Sequence, residues 1–486
     1  MKTPRAAVLP AALAALLAGM LPFAVSVTAW PEIVTPAWFV TRGIPLYDGI
    51  LFPHTPLLIL LTAAAGGLFG FTAAVLRAIP ALALAAAGAL VVLGARPHRA
   101  SRAGAWTGAA VGVPLLALFT VYAEGPAIWP EPFLAPFLLA GVLLVERFLR
   151  SSRPADVAAA GLLFGSGILV KQTFAWAAAA VLLWLAVRGG KRAAAVFGAA
   201  AALPYAGFAL TWAGAFRTVA HLRWTLVYPV FSGMSREIAV APTGADIHEA
   251  LALFVPFAAL ALAVAALPGR ATRSPLAAAA LGAAGLAWPR PGLVHLAALT
   301  GLAALAAART ALVVPSLARR LRARRGRLPG LLAAAGAAGA LAIAFGVAVL
   351  GAGPLLLDRW SGPVFFWDDS ATRDAAASVR ARVPPGGALL VFGAPETLYP
   401  LTGTRTPGGF YVNPSFWYCL KRDRGDERLV ASLAARPGLP LLFREPVADA
   451  GPIRATAVYA FVKARTEAAG RAPGEAEWRR VAAPGR

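Results

Sequence analysis

The stretch Val157-Ala-Ala-Ala-Gly161-Leu-Leu-Phe164-Gly-Ser-Gly167-Ile-Leu-Val170-Lys171-Gln172-Thr-Phe174-Ala-Trp176-Ala-Ala-Ala-Ala-Val181-Leu-Leu-Trp184-Leu-Ala-Val187 decides how the chain is threaded. It reads either as one long apolar span or as two short helices, Val157–Val170 and Phe174–Val187, that meet at Lys171-Gln172. A lysine between Ile168-Leu169-Val170 and Phe174 is costly at membrane depth unless it is paired or lines a polar cavity. The split predicts that Arg96/Arg99/Arg102, Arg147/Arg150/Arg153, Arg188/Lys191/Arg192, Arg270/Arg273 and the Arg309–Arg327 cluster all fall on one side. An excess of arginine marks that side as cytoplasmic. A single span would reverse everything downstream and put the Arg309–Arg327 cluster outside.

Composition sets the solvent. Of 486 residues, 59% are hydrophobic and 14% charged, and the mean hydropathy is +0.69, so most of the chain uses lipid rather than water. Backbone groups in hydrocarbon must be satisfied within a helix or a closed barrel, and the long Ala/Leu/Val/Gly runs lack the alternation of barrel strands. The net charge of +23 would suggest nucleic acid in a soluble protein. Here the basic residues cluster between apolar runs, so topology explains the charge and no nucleic-acid partner is implied. The single cysteine, Cys419, permits no intrachain disulfide. Abundant Ala, Gly, Pro and Arg point to a GC-rich bacterial genome, and hence to a bacterial inner membrane.

The expected architecture is an all-α polytopic membrane bundle followed by a small extracytoplasmic α/β domain. The first span is Ala6–Thr28, longer than the apolar core of a cleaved signal peptide, which leaves the N-terminus cytoplasmic. Leu57–Phe69 is short for a crossing and suits the interface. Further spans are expected near Phe71–Leu93, Ala105–Tyr122, Phe133–Val145, Val157–Val170, Phe174–Val187, Ala193–Trp212, Leu251–Leu267, Leu276–Trp288, Leu293–Ala308 and Leu331–Leu350, about eleven transmembrane helices in all. The membrane domain is placed at residues 1–352, with an external loop at 29–56, and the accessory domain at 353–486. In the latter, Ser370–Val383, Glu427–Ala435 and Ile453–Ala469 read as helices, and Ala388–Ala394 and Leu439–Phe443 as strands.

The polar segments fall together on the outer face. Trp30 to Pro56 gathers Glu32, Arg42, Asp48 and His54 directly after the first span. Trp129-Pro130-Glu131 opens a later span, and Trp288-Pro289-Arg290-Pro291 precedes His295. Each has a plainer reading as well: a solvated interfacial acid for Glu32, a turn residue beside Gly49 for Asp48, a helix cap for His54, and dipole compensation for Glu131. The tryptophans suit an aromatic belt or a wall over a sugar ring. Metal-ligand spacings are absent, so no metal site and no cofactor is expected, although scattered acids leave a divalent cation open. In the accessory domain, Gly393-Ala-Pro-Glu396-Thr-Leu-Tyr399 and Gly403-x-Arg405 form no nucleotide-binding fingerprint. That domain is expected to bind acceptor or to serve as structure.

Acid after the first span, Gly43-x-x-x-Tyr47-Asp48, His54-Thr55-Pro56-Leu57, Leu68-Phe69-Gly70 and Arg77 occur in an order that resembles the first external loop of C-type (GT-C) membrane glycosyltransferases. The likeness is to bacterial relatives of protein O-mannosyltransferases and aminoarabinose transferases. It implies transfer of a sugar from a polyprenyl-phosphate donor to a lipid, polysaccharide or protein acceptor, usually with inversion. By that resemblance Glu32 and Asp48 are the catalytic candidates, with Glu32 the first choice as general base. Lys171, Arg290 and His54 are candidates for the donor phosphate, and Glu131, Tyr47 and Trp129 for acceptor or sugar. One departure stands out: the family commonly has two acids close together in this loop, whereas Thr28 and Ala29 precede a lone Glu32. Either Glu32 takes the whole role, with Asp48 nearby, or the base is lost. The alternative function is a transporter or flippase of lipid-linked saccharides, which should carry ionisable residues near the bilayer midplane.

Overall fold

The computed structural model describes residues 7–52, 54–95, 102–123, 125–211, 225, 275–285, 295, 297–323, 339, 342, 346, 349–350, 352–409, 411–412, 425–445, 454, 456–473 and 476–483. It forms two compact units. One comprises Met1–Val27, Arg77–Phe208 and Val240–Gly362, and the other Thr28–Leu76, Ala209–Ala239 and Pro363–Arg486. Chain order does not separate them, because Thr28–Leu76 groups with the C-terminal segment.

The helices up to residue 211 are α1 (Val8–Ala24), α2 (Pro31–Thr41), α3 (Leu57–Phe69), α4 (Ala73–Gly94), α5 (Arg102–Thr107), α6 (Val113–Tyr122), α7 (Pro130–Ser151), α8 (Pro154–Val170), α9 (Ala175–Arg188) and α10 (Lys191–Thr211). A π turn at Gly108–Gly112 joins α5 to α6. Among the described residues, four helices have the length and apolarity to cross a bilayer: Ala73–Gly94, Ala105–Tyr122, Pro130–Ser151 and Lys191–Leu210. The first helix, expected to run to Thr28, stops at Ala24. The expected span Leu251–Leu267 and most of Leu331–Leu350 lie outside the described residues. Helices are also present at Leu276–Ala284 and Thr300–Ala323.

The first unit is built from antiparallel neighbours. The chain breaks at Lys171, whose extended backbone (φ −152°, ψ 125°) ends α8, and a short 3₁₀ turn, Gln172–Phe174, leads into α9. Phe174 then stacks on Phe164 with ring centroids 5.4 Å apart. In one continuous helix those two residues would sit about 15 Å apart, so the chain doubles back. Gly161 and Gly165 on α8 lie against the backbone of α10 at Phe197 and Ala201, where any side chain would collide. Small residues let such helices approach without hydrophobic drive from lipid.

These turns sort the ends of the bundle. At one end, Arg309 donates to both carboxylate oxygens of Glu146, at 2.7 Å each, and to the Gly94 carbonyl at 3.0 Å. Arg147 meets Asp156 at 3.2 Å there, and Gly189 packs by Phe148. The C-terminal ends of α4, α7 and α9 are thus together, with Arg147, Arg150 and Arg188 near the ends of α7 and α9. At the other end, Arg77 near the start of α4 donates to the carbonyls of Pro22, Val25 and Gly362 at 2.6 Å each.

In the second unit, the segment after the first span is not a plain loop. Pro31 at the first helical position and Glu32 in the first turn favour a helix start, and α2 forms over Pro31–Thr41. The C-terminal part carries a four-stranded mixed sheet in the order Leu390–Phe392, Pro440–Phe443, Glu477–Val481, Thr466–Arg471. The first pair is parallel and the other two are antiparallel. Helices Ser370–Arg380, Gly425–Ala434 and Ala457–Arg465 accompany it. The helix expected over Ile453–Ala469 ends at Arg465, because Thr466–Arg471 instead pairs with Glu477–Val481. Gly470 opposes helix, and pairing with the neighbouring strand overrides the helix preference of Glu467, Ala468 and Ala469.

Candidate functional site

Two clusters of ionisable groups occur, one in each unit. In the membrane unit, Trp129 caps α7 in an extended conformation, Pro130 takes the first helical position, and Glu131 follows in the first turn, fully buried. Lys171, also buried, reaches it from the break between α8 and α9. The Lys171 ammonium and His295 Nδ1 both contact Glu131 Oε1, and Lys171 Nζ lies 3.3 Å from His295 Nδ1. Glu131 Oε2 is buried with no hydrogen-bond partner among the described residues.

One carboxylate therefore holds two nitrogen bases, and only one of its oxygens is used. Desolvating such a group is expensive, so the arrangement persists because the opposite charge is adjacent. It fixes the ammonium and the imidazole side by side at the end of the bundle opposite Arg309. Arg290, expected beside them, lies outside the described residues.

The second cluster surrounds α2. Glu32 is half-buried, and Thr35 and Phe39 follow it on one helical stripe, three and seven residues on. Phe39 packs on Tyr399 and Tyr411, with centroids 5.4 and 5.0 Å apart. Glu396, one helical turn before Tyr399, is buried. Burial, and then the negative charge of Glu32, push its carboxyl well above the usual carboxylate range. Tyr399 is likewise raised by burial, and its hydroxyl accepts from Val391 N and donates to the Leu389 carbonyl.

The other sequence candidates are placed as follows. Tyr47 is buried with φ +72°, a strained conformation for an aromatic residue. Its hydroxyl donates to the His54 carbonyl at 2.8 Å. His54 is half-buried with its ring edge-on to Phe52. Asp48 is exposed. Lys171 and Glu131 thus meet, although sequence reasoning gave them different tasks, and Tyr47 and His54 meet in the other unit. Sequence reasoning treated His295 as supporting context and gave Glu396 no chemistry. The available signal for both was an ionisable residue inside an apolar run of a chain with only 22 acids and 5 histidines. Among the described residues no three His, Cys, Asp or Glu side chains gather as a metal site.

Among the described residues, four helices long and apolar enough to cross a bilayer mark an integral membrane protein. Comparison gives the class. Residues 53–212 match the family model described as dolichyl-phosphate-mannose-protein mannosyltransferase. No curated protein matches the chain in sequence. The fold is similar to that of ArnT from Cupriavidus metallidurans bound to undecaprenyl phosphate, with TM-score 0.57 and 14% identity, covering 98% of this chain and 99% of that one. It is also similar to the Archaeoglobus fulgidus oligosaccharyltransferase tethered to an acceptor peptide, with TM-score 0.55 and 13% identity, covering 90% of this chain and 69% of that one. The chain has the C-type membrane glycosyltransferase fold.

Proposed function

We propose that the chain is an integral membrane glycosyltransferase that moves a sugar from a polyprenyl-phosphate-linked donor to an extracytoplasmic acceptor with inversion. The observation that carries this reading is the buried Glu131–Lys171–His295 cluster, at the end of the bundle away from the arginine-rich loops. Arginine-rich loops favour the cytoplasmic side, which supports an outward-facing cluster. The antiparallel packing of α1 on α4, with Gly88 against Ala14 and Ala18 and Gly19 against Ala81 and Ala85, supports a cytoplasmic N-terminus on the same reading. The membrane is taken to be a bacterial inner membrane.

In the reaction, the acceptor hydroxyl oxygen attacks the anomeric carbon as the carbon–oxygen bond to phosphate breaks. The polyprenyl phosphate leaves with the bonding electrons, and Glu32 takes the hydroxyl proton. Lys171, oriented by Glu131 and flanked by His295, neutralises charge growing on the leaving phosphate. Arg290 and His54 are assigned to the same phosphate, Tyr47 and Trp129 to sugar or acceptor, and Asp48 to support of the base. No cofactor is assigned.

Transport of lipid-linked saccharides is the weaker reading. It calls for ionisable groups midway through the bilayer, whereas the buried ion pairs described here sit at the two ends of the bundle.

The test is mass spectrometry of envelope glycans from cells with the wild-type chain, without it, and with Glu32→Gln. Loss of the same sugar modification in the last two is expected. Unchanged glycans with Glu32→Gln would overturn the assigned base.

A further inference from the structure

The C-terminal unit holds a cavity of about 560 Å³ that the reaction above does not use. Trp38, Phe39 and Ile44 from the segment after the first span line one part of it. The rest is formed by the Pro384–Gly387 turn, the Gly403–Gly409 turn and Arg436. Three guanidinium groups border it, from Arg42, Arg405 and Arg436, and no carboxylate does among the described residues. Arg42 lies over the Trp38 ring, 5.0 Å from its centroid. Arg436 donates to the neutral Ser432 hydroxyl at 2.6 Å. Among the described residues none of the three arginines is ion-paired.

Three cations around one cavity repel one another unless an anion joins them. Guanidinium forks are suited to phosphate and carboxylate, which they bind with two parallel hydrogen bonds. The volume falls within the range of small-molecule pockets and is far larger than a bare phosphate requires. Trp38 and Phe39 supply apolar surface of the kind that packs on the carbon–hydrogen face of a sugar ring. At the Gly403–Gly409 turn, Gly409 has φ +74° and open space where a Cβ would stand, so a ligand can approach bare backbone there.

We infer that this cavity binds a phosphate- or carboxylate-bearing saccharide, with Arg42, Arg405 and Arg436 holding the charge and Trp38 and Phe39 the ring. Its assignment as the acceptor's charged subsite rests on the transferase reading; the binding itself does not. That gives Gly403-x-Arg405 a task, and it places specificity for anionic acceptors in the unit that carries the mixed sheet.

The experiment is calorimetric titration of the purified full-length chain in detergent with glucose 6-phosphate, glucuronate, inorganic phosphate and glucose. Glucose 6-phosphate or glucuronate is expected to bind, inorganic phosphate more weakly, and glucose not at all. Arg405→Gln and Arg436→Gln should each weaken binding about tenfold or more, while Arg373→Gln, an exposed control away from the cavity, leaves it unchanged. No binding of either charged sugar, equal binding of glucose, equal binding of inorganic phosphate, or full affinity in both cavity variants would overturn the inference. Binding without any change in envelope glycans would sink the transferase reading and leave the anionic saccharide site standing.

Discussion

The two ends of the membrane bundle each bury a glutamate against a cation, and they do it differently. At the arginine-rich end, Glu146 gives one oxygen to each arm of the Arg309 fork, and the Arg309 Nε–H donates to the Gly94 carbonyl. At the other end, Glu131 gathers Lys171 and His295 on one oxygen. The first geometry uses the bidentate match of arginine and carboxylate to lock three helices together. The second leaves an ammonium and an imidazole adjacent to each other on one oxygen, the arrangement on which the proposed phosphate contact rests.

The largest expected effect separates the two ends directly. Lys171→Ala should lower sugar transfer by about 100-fold or more per folded molecule, over and above the stability lost by leaving the buried Glu131 carboxylate without its ammonium; near-normal turnover per folded molecule would erase the distinction. Glu146→Ala should do the reverse, costing about 3–5 kcal/mol of stability by stranding the Arg309 charge, while transfer per folded molecule is kept. Replacing Glu146 and Arg309 together by leucine should recover much of that loss, as read by thermal unfolding.

A smaller effect comes from Glu396, a buried glutamate in the other unit. Its folded pKa is raised, so the stability it contributes is complete below the unfolded carboxylate value and is lost as pH rises through the folded value. Thermal stability of the wild type should therefore decline with rising pH in that window, and Glu396→Gln should flatten the decline. An unchanged profile in the variant would remove Glu396 from the contrast. The smallest effect is at an ordinary cap: Asp369 accepts from Thr372 N at 2.9 Å, and Asp369→Ala should cost about 1 kcal/mol, with no effect on transfer.

Much of the membrane unit was legible in the sequence. Lys171-Gln172 marked the helix break because a lysine in an apolar run is a local conflict, visible without any partner. The arginine-rich loops were legible for the same reason, as charge between apolar runs. The α2 helix was missed even though Pro31 and Glu32 are helix-start residues, since its polar and aromatic composition reads as loop. The strand Thr466–Arg471 was missed because its conformation is imposed by Glu477–Val481.

Residue types alone thus determined that this chain lives in lipid, where its apolar runs break, and which few side chains are too costly to bury idly. Those are single-segment free energies, set by transfer from water and by backbone hydrogen bonding. Tertiary structure decided the partners: Lys171 meets Glu131 from 40 residues away and His295 from 124, and Phe39 meets Tyr399 across most of the chain. Such pairings depend on how helices and turns pack against one another, and no local preference encodes them.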